Sequence, residues 1–304
     1  MQQMTQRWKA DTQIAAYEPC YGDLSMKQYK KYLNMVLALV FLFSAGMVIR
    51  QALDDSGGES EYQAAMEIAQ GTHTPAETAP EASQEAPTEQ AEAGELVWFP
   101  AAVEDDPVLE ALRETDLAAL REVNPDVVGW IRIPDSKIDY PVVQGEDNDF
   151  YLKHTWQGNP NTMGSIFLDC NTSPDLTAYN TLIYGHNMNS GAMFAALRDY
   201  RKQSYYDTHP YVYLLVDNGA FRFDVFSAYR AELDASAYGQ SFQQRQTREK
   251  FLQDAIEKSD IETGITPGIR DRILTLSTCS GAGHSTRWVV HARLEMVQVR
   301  YTGE

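Results

Sequence analysis

The sequence predicts a mainly β fold: an eight-stranded β-barrel, with one helix ahead of the strands and another between the sixth and seventh. Three observations carry that prediction. Eight apolar, β-rich runs bounded by Pro, Gly, Asn and Asp turns occupy residues 127–299. Only two helical patterns interrupt them. A sheet of that many strands avoids exposed edges by closing on itself.

Taken in order, the 304-residue chain first presents an uncharged apolar run at 33–49, between Lys27, Lys30 and Lys31 on one side and Arg50 on the other. A spanning helix needs roughly 17–25 apolar residues, so the run suffices as a membrane anchor. A cleaved signal peptide is the rival reading, because Ser44, Ala45 and Gly46 are small. The long polar segment ahead of the run and the lack of an A-x-A pattern after it favour an uncleaved signal anchor. Lysines before the run and acids after it predict a cytoplasmic segment at 1–32 and an extracellular remainder, a single-pass cell-membrane protein with its N-terminus inside.

Residues 50–106 are rich in Glu, Ala, Pro, Thr, Gln and Ser, which predicts an acidic disordered linker. A short helix over Glu59 to Gln70 would be marginal by itself. As a coil, such a segment would span about 40 Å root-mean-square. It also explains the net charge of −18. Fourteen of the 43 acids lie within 51–106 and none of the 25 bases does, so the rest of the chain carries 29 acids against 25 bases. A near-balanced body without a clustered basic face argues against a nucleic-acid partner.

The folded domain is expected over 107–304. Val108, Leu109, Leu112, Leu117 and Leu120 recur at helical spacing, predicting one surface helix over 107–122. Strands are expected at 127–133, 138–144, 164–169, 181–186, 211–217, 221–233, 272–279 and 288–299. Helices are expected at 192–200 and 241–258, the latter carrying Phe242, Phe251, Leu252 and Ile256 among charges.

The seventh strand, Leu274-Thr275-Leu276-Ser277-Thr278-Cys279, ends on a thiol, and a short Ser/Gly-rich turn leads to Arg287 at the start of the eighth. Thiol and guanidinium therefore fall side by side at one rim of the sheet. A thiol becomes a nucleophile only as thiolate and needs a proton-transfer partner and a cation near the developing charge. Another apolar strand, Leu182-Ile183-Tyr184-Gly185-His186, ends on a residue type suited to the first task. By itself the pattern also fits a buried cysteine or a metal ligand. A zinc site from Cys279, His284 and His291 has poor spacing and lacks a fourth ligand. His291 has the neighbours of a packed strand residue, and Cys20 and Cys170 pair with nothing at CxxC spacing.

Thr275 to Cys279 with Arg287, and Tyr184-Gly185-His186 about ninety residues before the cysteine, resemble the sortases, membrane-anchored cysteine transpeptidases of Gram-positive bacteria. The run Val128 to Pro134, Ile138 to Gly145, Gly164 to Asp169 and the helix between the sixth and seventh strands are similar to class B. The resemblance covers about 107–300 and implies a sortase-type barrel with no cofactor and no metal. It implies Cys279 as the nucleophile forming a thioacyl-enzyme, His186 as acid/base, and Arg287 holding substrate backbone and oxyanion. Tyr184 and Ser277 match positions that contribute to the substrate groove. The implied partners are surface proteins with a C-terminal sorting signal of the N-P-x-T-x or S/N-P-x-T-G kind, and a peptidoglycan precursor or cross-bridge amine. A pilin-polymerising sortase and a non-catalytic peptide-binding module on the same barrel are the alternatives.

Overall fold

The computed structural model describes residues 26–71, 106–239, 242–279 and 285–298. It divides into two units, Met1–Gln51 and Ala52–Glu304. The described part of the first is helical and belongs to α1 (Met26–Ala69). Its apolar side chains are open, Phe41 being 72% and Leu42 65% exposed, and among the described residues this helix alone is long and apolar enough to cross a membrane. An apolar surface with none of the described residues against it is what a bilayer would cover.

The second unit is a closed mixed barrel in the order β1-β2-β3-β4-β7-β8-β6-β5. Its strands are β1 (Val127–Arg132), β2 (Asp139–Val143), β3 (Ile166–Leu168), β4 (Asn180–His186), β5 (Tyr211–Val216), β6 (Gly219–Glu232), β7 (Ile273–Cys279) and β8 (Thr286–Gln298). All eight expected strands are present. The pairs β2–β3 and β4–β7 are parallel, and the others are antiparallel. Trp130, Ile131, Val143, Ile166, Leu214, Phe223, Leu274 and Val290 fill the core.

The helix expected over 107–122 is two helices, α2 (Pro107–Arg113) and α3 (Leu117–Val123). Asp106 caps the first through the amides of Val108 and Leu109, ahead of a proline at the first helical position. Asp116 captures the amide of Ala119, so it begins a new helix instead of continuing the old one. The expected 192–200 helix is a 3-10 segment, Phe194–Arg201, followed by the short α4 (Gln203–Tyr206). The helix between β6 and β7 is α5 (Arg245–Glu257). Its Phe251, Leu252 and Ala255 pack with Phe226, Tyr229, Ile273 and Val289 on the outer wall of the barrel.

The expected disordered linker needs correction over its first part. Residues 51–69 continue α1, and Tyr62, Ala65 and Ala69 are buried in the main core. The reason is spacing: Tyr62, Ala65, Met66 and Ala69 form an i, i+3, i+4, i+7 stripe that lies against the barrel. A helix marginal in isolation is held by tertiary packing. The rest of the expected linker, 72–105, lies outside the described residues, as do 1–25 and His284.

Candidate active site

Strand register brings the candidate residues together. In the parallel β4–β7 pair, Leu182 lies opposite Thr275, Tyr184 opposite Ser277, and His186 opposite Cys279. The antiparallel β7–β8 ladder matches Thr275 with His291 and Ser277 with Val289. The same offset carried two residues further sets position 287 opposite position 279. Trp288 supports that continuation, its amide donating to Thr278 Oγ1 at 3.0 Å. Positions 186, 279 and 287 therefore occupy one end of three adjacent strands.

His186 is half-buried, and its Nε2 lies 2.7 Å from the carbonyl oxygen of Leu152. A carbonyl only accepts, so Nε2 carries the proton and Nδ1 is the nitrogen with a lone pair. Two glycines shape this end of the strand, Gly164 beside the imidazole and Gly185 against Ile166 and Phe194. A Cβ at Gly185 would meet Ile166 Cδ1 at 2.4 Å, and one at Gly164 would meet His186 Cδ2 and Leu152 O, each at 2.8 Å. Gly164 also has a φ of +61°, the left-handed region that a side chain disfavours.

Tyr184 sits two residues before His186 on the same face, packs on Phe167 at 5.3 Å between ring centroids, and donates to Asp169 Oδ2 at 3.2 Å. Ser277 is fully buried, its hydroxyl 2.9 Å from the Tyr238 hydroxyl. Alternation along β4 puts Asn180, Leu182, Tyr184 and His186 on one face. At the Asn180 end of that face opens a cleft of about 390 Å³, lined by Asp169, Asn180, Leu182, Tyr238, Phe242 and Arg248 among others. Arg248 stacks its guanidinium 4.4 Å over the Tyr179 ring at this edge. Sequence reasoning missed the cleft. Asn180 and Leu182 were accessible to it, by counting back from His186 in steps of two. Tyr238 reaches Ser277 across 39 residues of chain and carries no local signal.

His291 is a packed residue, as expected. It is fully buried between Thr275 Oγ1, 2.9 Å from Nδ1, and the Tyr229 hydroxyl, 3.3 Å from Nε2. Burial pushes its pKa down to about 3. It stands four residues along β7 from the register of Cys279, roughly 13 Å at strand rise, too far to share a zinc ion with it. Cys170 is half-buried just past β3, its amide donating to Asn148 Oδ1.

Comparison with known proteins gives this geometry a family. The family model described as the sortase domain matches residues 131–295, more than half of the chain. Sortase B of Staphylococcus aureus is 35% identical over 178 residues, covering 58% of this chain and 73% of the relative. Sortase B of Listeria monocytogenes is 35% identical over 164 residues, covering 54% and 67%. Among solved structures, an S. aureus sortase B–substrate complex aligns with a TM-score of 0.58 at 33% identity, over 62% of this chain and 87% of that one. Sortase B from Bacillus anthracis aligns with a TM-score of 0.62 at 27% identity, over 80% and 99%. This chain belongs to the sortase family, class B, and is a cysteine transpeptidase.

Proposed function

We propose that Cys279, His186 and Arg287 carry out the transpeptidation, and that the clients are extracellular surface proteins with a C-terminal sorting signal of the N-P-x-T-x or S/N-P-x-T-G kind. The observation that carries this reading is the parallel register of β4 on β7, which pairs His186 with Cys279 at the strand ends. The thiol proton passes to His186 and the sulfur attacks the carbonyl carbon of the signal's Thr. His186 then gives a proton to the departing amine, and the C-terminal fragment leaves. An amine of a peptidoglycan precursor or cross-bridge attacks the thioester, its proton goes to His186, and the sulfur departs. Arg287 faces the oxyanion of both tetrahedral intermediates, where a permanent cation with several donors is most effective.

The β4 face supports a path for the peptide. From His186 it runs past Tyr184 and Leu182 to the cleft beside Tyr238 and Phe242. On this reading Tyr184 contacts the signal directly, while Ser277 acts beneath Tyr238 by holding its hydroxyl. The apolar run of α1 anchors the enzyme, with the barrel outside the cell.

Incubation of the full chain in detergent with a fluorogenic signal peptide and an amine acceptor tests the assignment. Cleavage and amide product are expected from the wild type, and Cys279→Ala should lower both by at least about a thousandfold, as loss of a covalent nucleophile does. Undiminished turnover in Cys279→Ala would overturn it.

A further inference from the structure

We propose that Tyr62, on the barrel-packed part of α1, is a positioning residue for catalysis: it fixes the 150–165 segment whose Leu152 carbonyl holds the His186 imidazole. The proposal rests on the reading of His186 as the proton-transfer group.

The contacts form a short chain. The Tyr62 hydroxyl donates to the Gly164 carbonyl at 2.7 Å and lies 3.2 Å from Ser165 Oγ. Gly164 is the residue at which a Cβ would run into both His186 Cδ2 and Leu152 O. Ser165 ties the same segment back, its amide donating to Tyr151 O at 2.9 Å and its hydroxyl to His154 O at 2.8 Å. Leu152 O then accepts from His186 Nε2 at 2.7 Å.

Tyr62 is buried and packs edge-on against Tyr140 at 5.3 Å between ring centroids. Burial also raises its phenol pKa well above the ordinary value, so it stays a donor across the physiological range. Tyr140 in turn accepts from the amide of Met193, in the loop that leaves His186. Tyr62 thus bears on one side of the histidine's mounting directly and on the other through Tyr140.

Neighbouring residues of α1 show that this segment is clamped and not merely covered. The Glu61 carboxylate accepts from the Thr155 hydroxyl and from Asn159 Nδ2, and its backbone carbonyl accepts from Trp156 Nε1 at 3.0 Å. Asp54 Oδ2 accepts from the Thr162 amide and hydroxyl. The Tyr62 hydroxyl is the contact that reaches Gly164, and so the one that bears on the imidazole.

The test uses the full chain in detergent with 15N-labelled histidine. In the wild type the His186 Nε2–H is expected to give a protected imidazole cross-peak, assigned by its loss in His186→Ala. Tyr62→Phe keeps the ring and its packing but removes the donor. It should broaden that cross-peak by solvent exchange and lower kcat about ten- to thirtyfold while KM for the signal peptide changes less than twofold. Glu61→Gln, which alters the neighbouring contacts to Thr155 and Asn159 but not the bond to Gly164, should lower Tm but leave the cross-peak in place. An unchanged cross-peak and kcat in Tyr62→Phe would overturn the proposal. Full activity in His186→Ala would instead overturn the reading of the site itself. If Tyr62→Phe fails to fold, Ser165→Ala removes the second anchor of the same segment, and the same two readouts decide.

Discussion

His291 shows how a reactive residue type can be silenced by its surroundings. It sits four residues from the site register, yet it is sealed under Phe226 and Phe251 with both ring nitrogens engaged. Its pKa of about 3, against an ordinary value near 6.5, makes it a stability group. The unfolded chain binds a proton there below pH 6.5 and the folded chain does not. Its contribution is therefore complete above pH 6.5 and is lost progressively as pH falls toward 3. At pH 5 the loss should be about 2 kcal/mol relative to pH 7.5. Urea unfolding of the wild type and of His291→Gln at the two pH values checks this: the wild type should lose that much more than the variant. An equal loss in both would assign the acid sensitivity to other groups. The packed role of His291 was readable from its apolar strand neighbours, whereas its bond to Thr275 required the register of two strands.

At the scale of elements, the strands were legible and the helices less so. Each strand carries its own apolar run ended by turn residues, and the candidate residues His186 and Cys279 terminate such runs, so their rim placement followed from local pattern alone. The break between α2 and α3 turned on one side chain, Asp116, competing for an amide that a continuous helix would have used. The continuation of α1 to Ala69 was hidden for a different reason. Glu59 to Gln70 is short, polar and acidic, and only the barrel beside it makes its narrow apolar stripe worth ordering. This difference has a measurable consequence. Ala65 has no exposure and Gln63, two residues earlier, is exposed. Ala65→Arg buries an unpaired charge and should cost about 3–5 kcal/mol, or detach the helix segment first. Gln63→Arg should be within about 0.5 kcal/mol of the wild type. Thermal unfolding of both variants separates a packed helix from a spacer, for which the two substitutions would behave alike.

At the scale of the whole molecule, the charge pattern and the catalytic site make one joint demand. On the proposed function, a transpeptidase that joins surface proteins to wall amines must present its barrel where those amines are. Lys27, Lys30 and Lys31 precede the apolar run, and the 56 residues from Gln51 to Asp106 contain no Lys or Arg. Basic residues resist translocation and acids contribute little, so on the proposed topology the lysine side would stay in the cytoplasm and the barrel would be exported. Epitope tags at the two ends test this directly. On intact, wall-permeabilised cells, antibody should reach a C-terminal tag and should reach an N-terminal tag only after the membrane is opened. Moving the three lysines to the far side of the run should weaken the bias and put a fraction of chains in the opposite orientation. Those inverted chains would keep the His186–Cys279 register and still fail to modify any surface protein, which separates the chemistry of the site from its placement. An N-terminal tag reached on intact cells by the unaltered chain would refute the proposed topology.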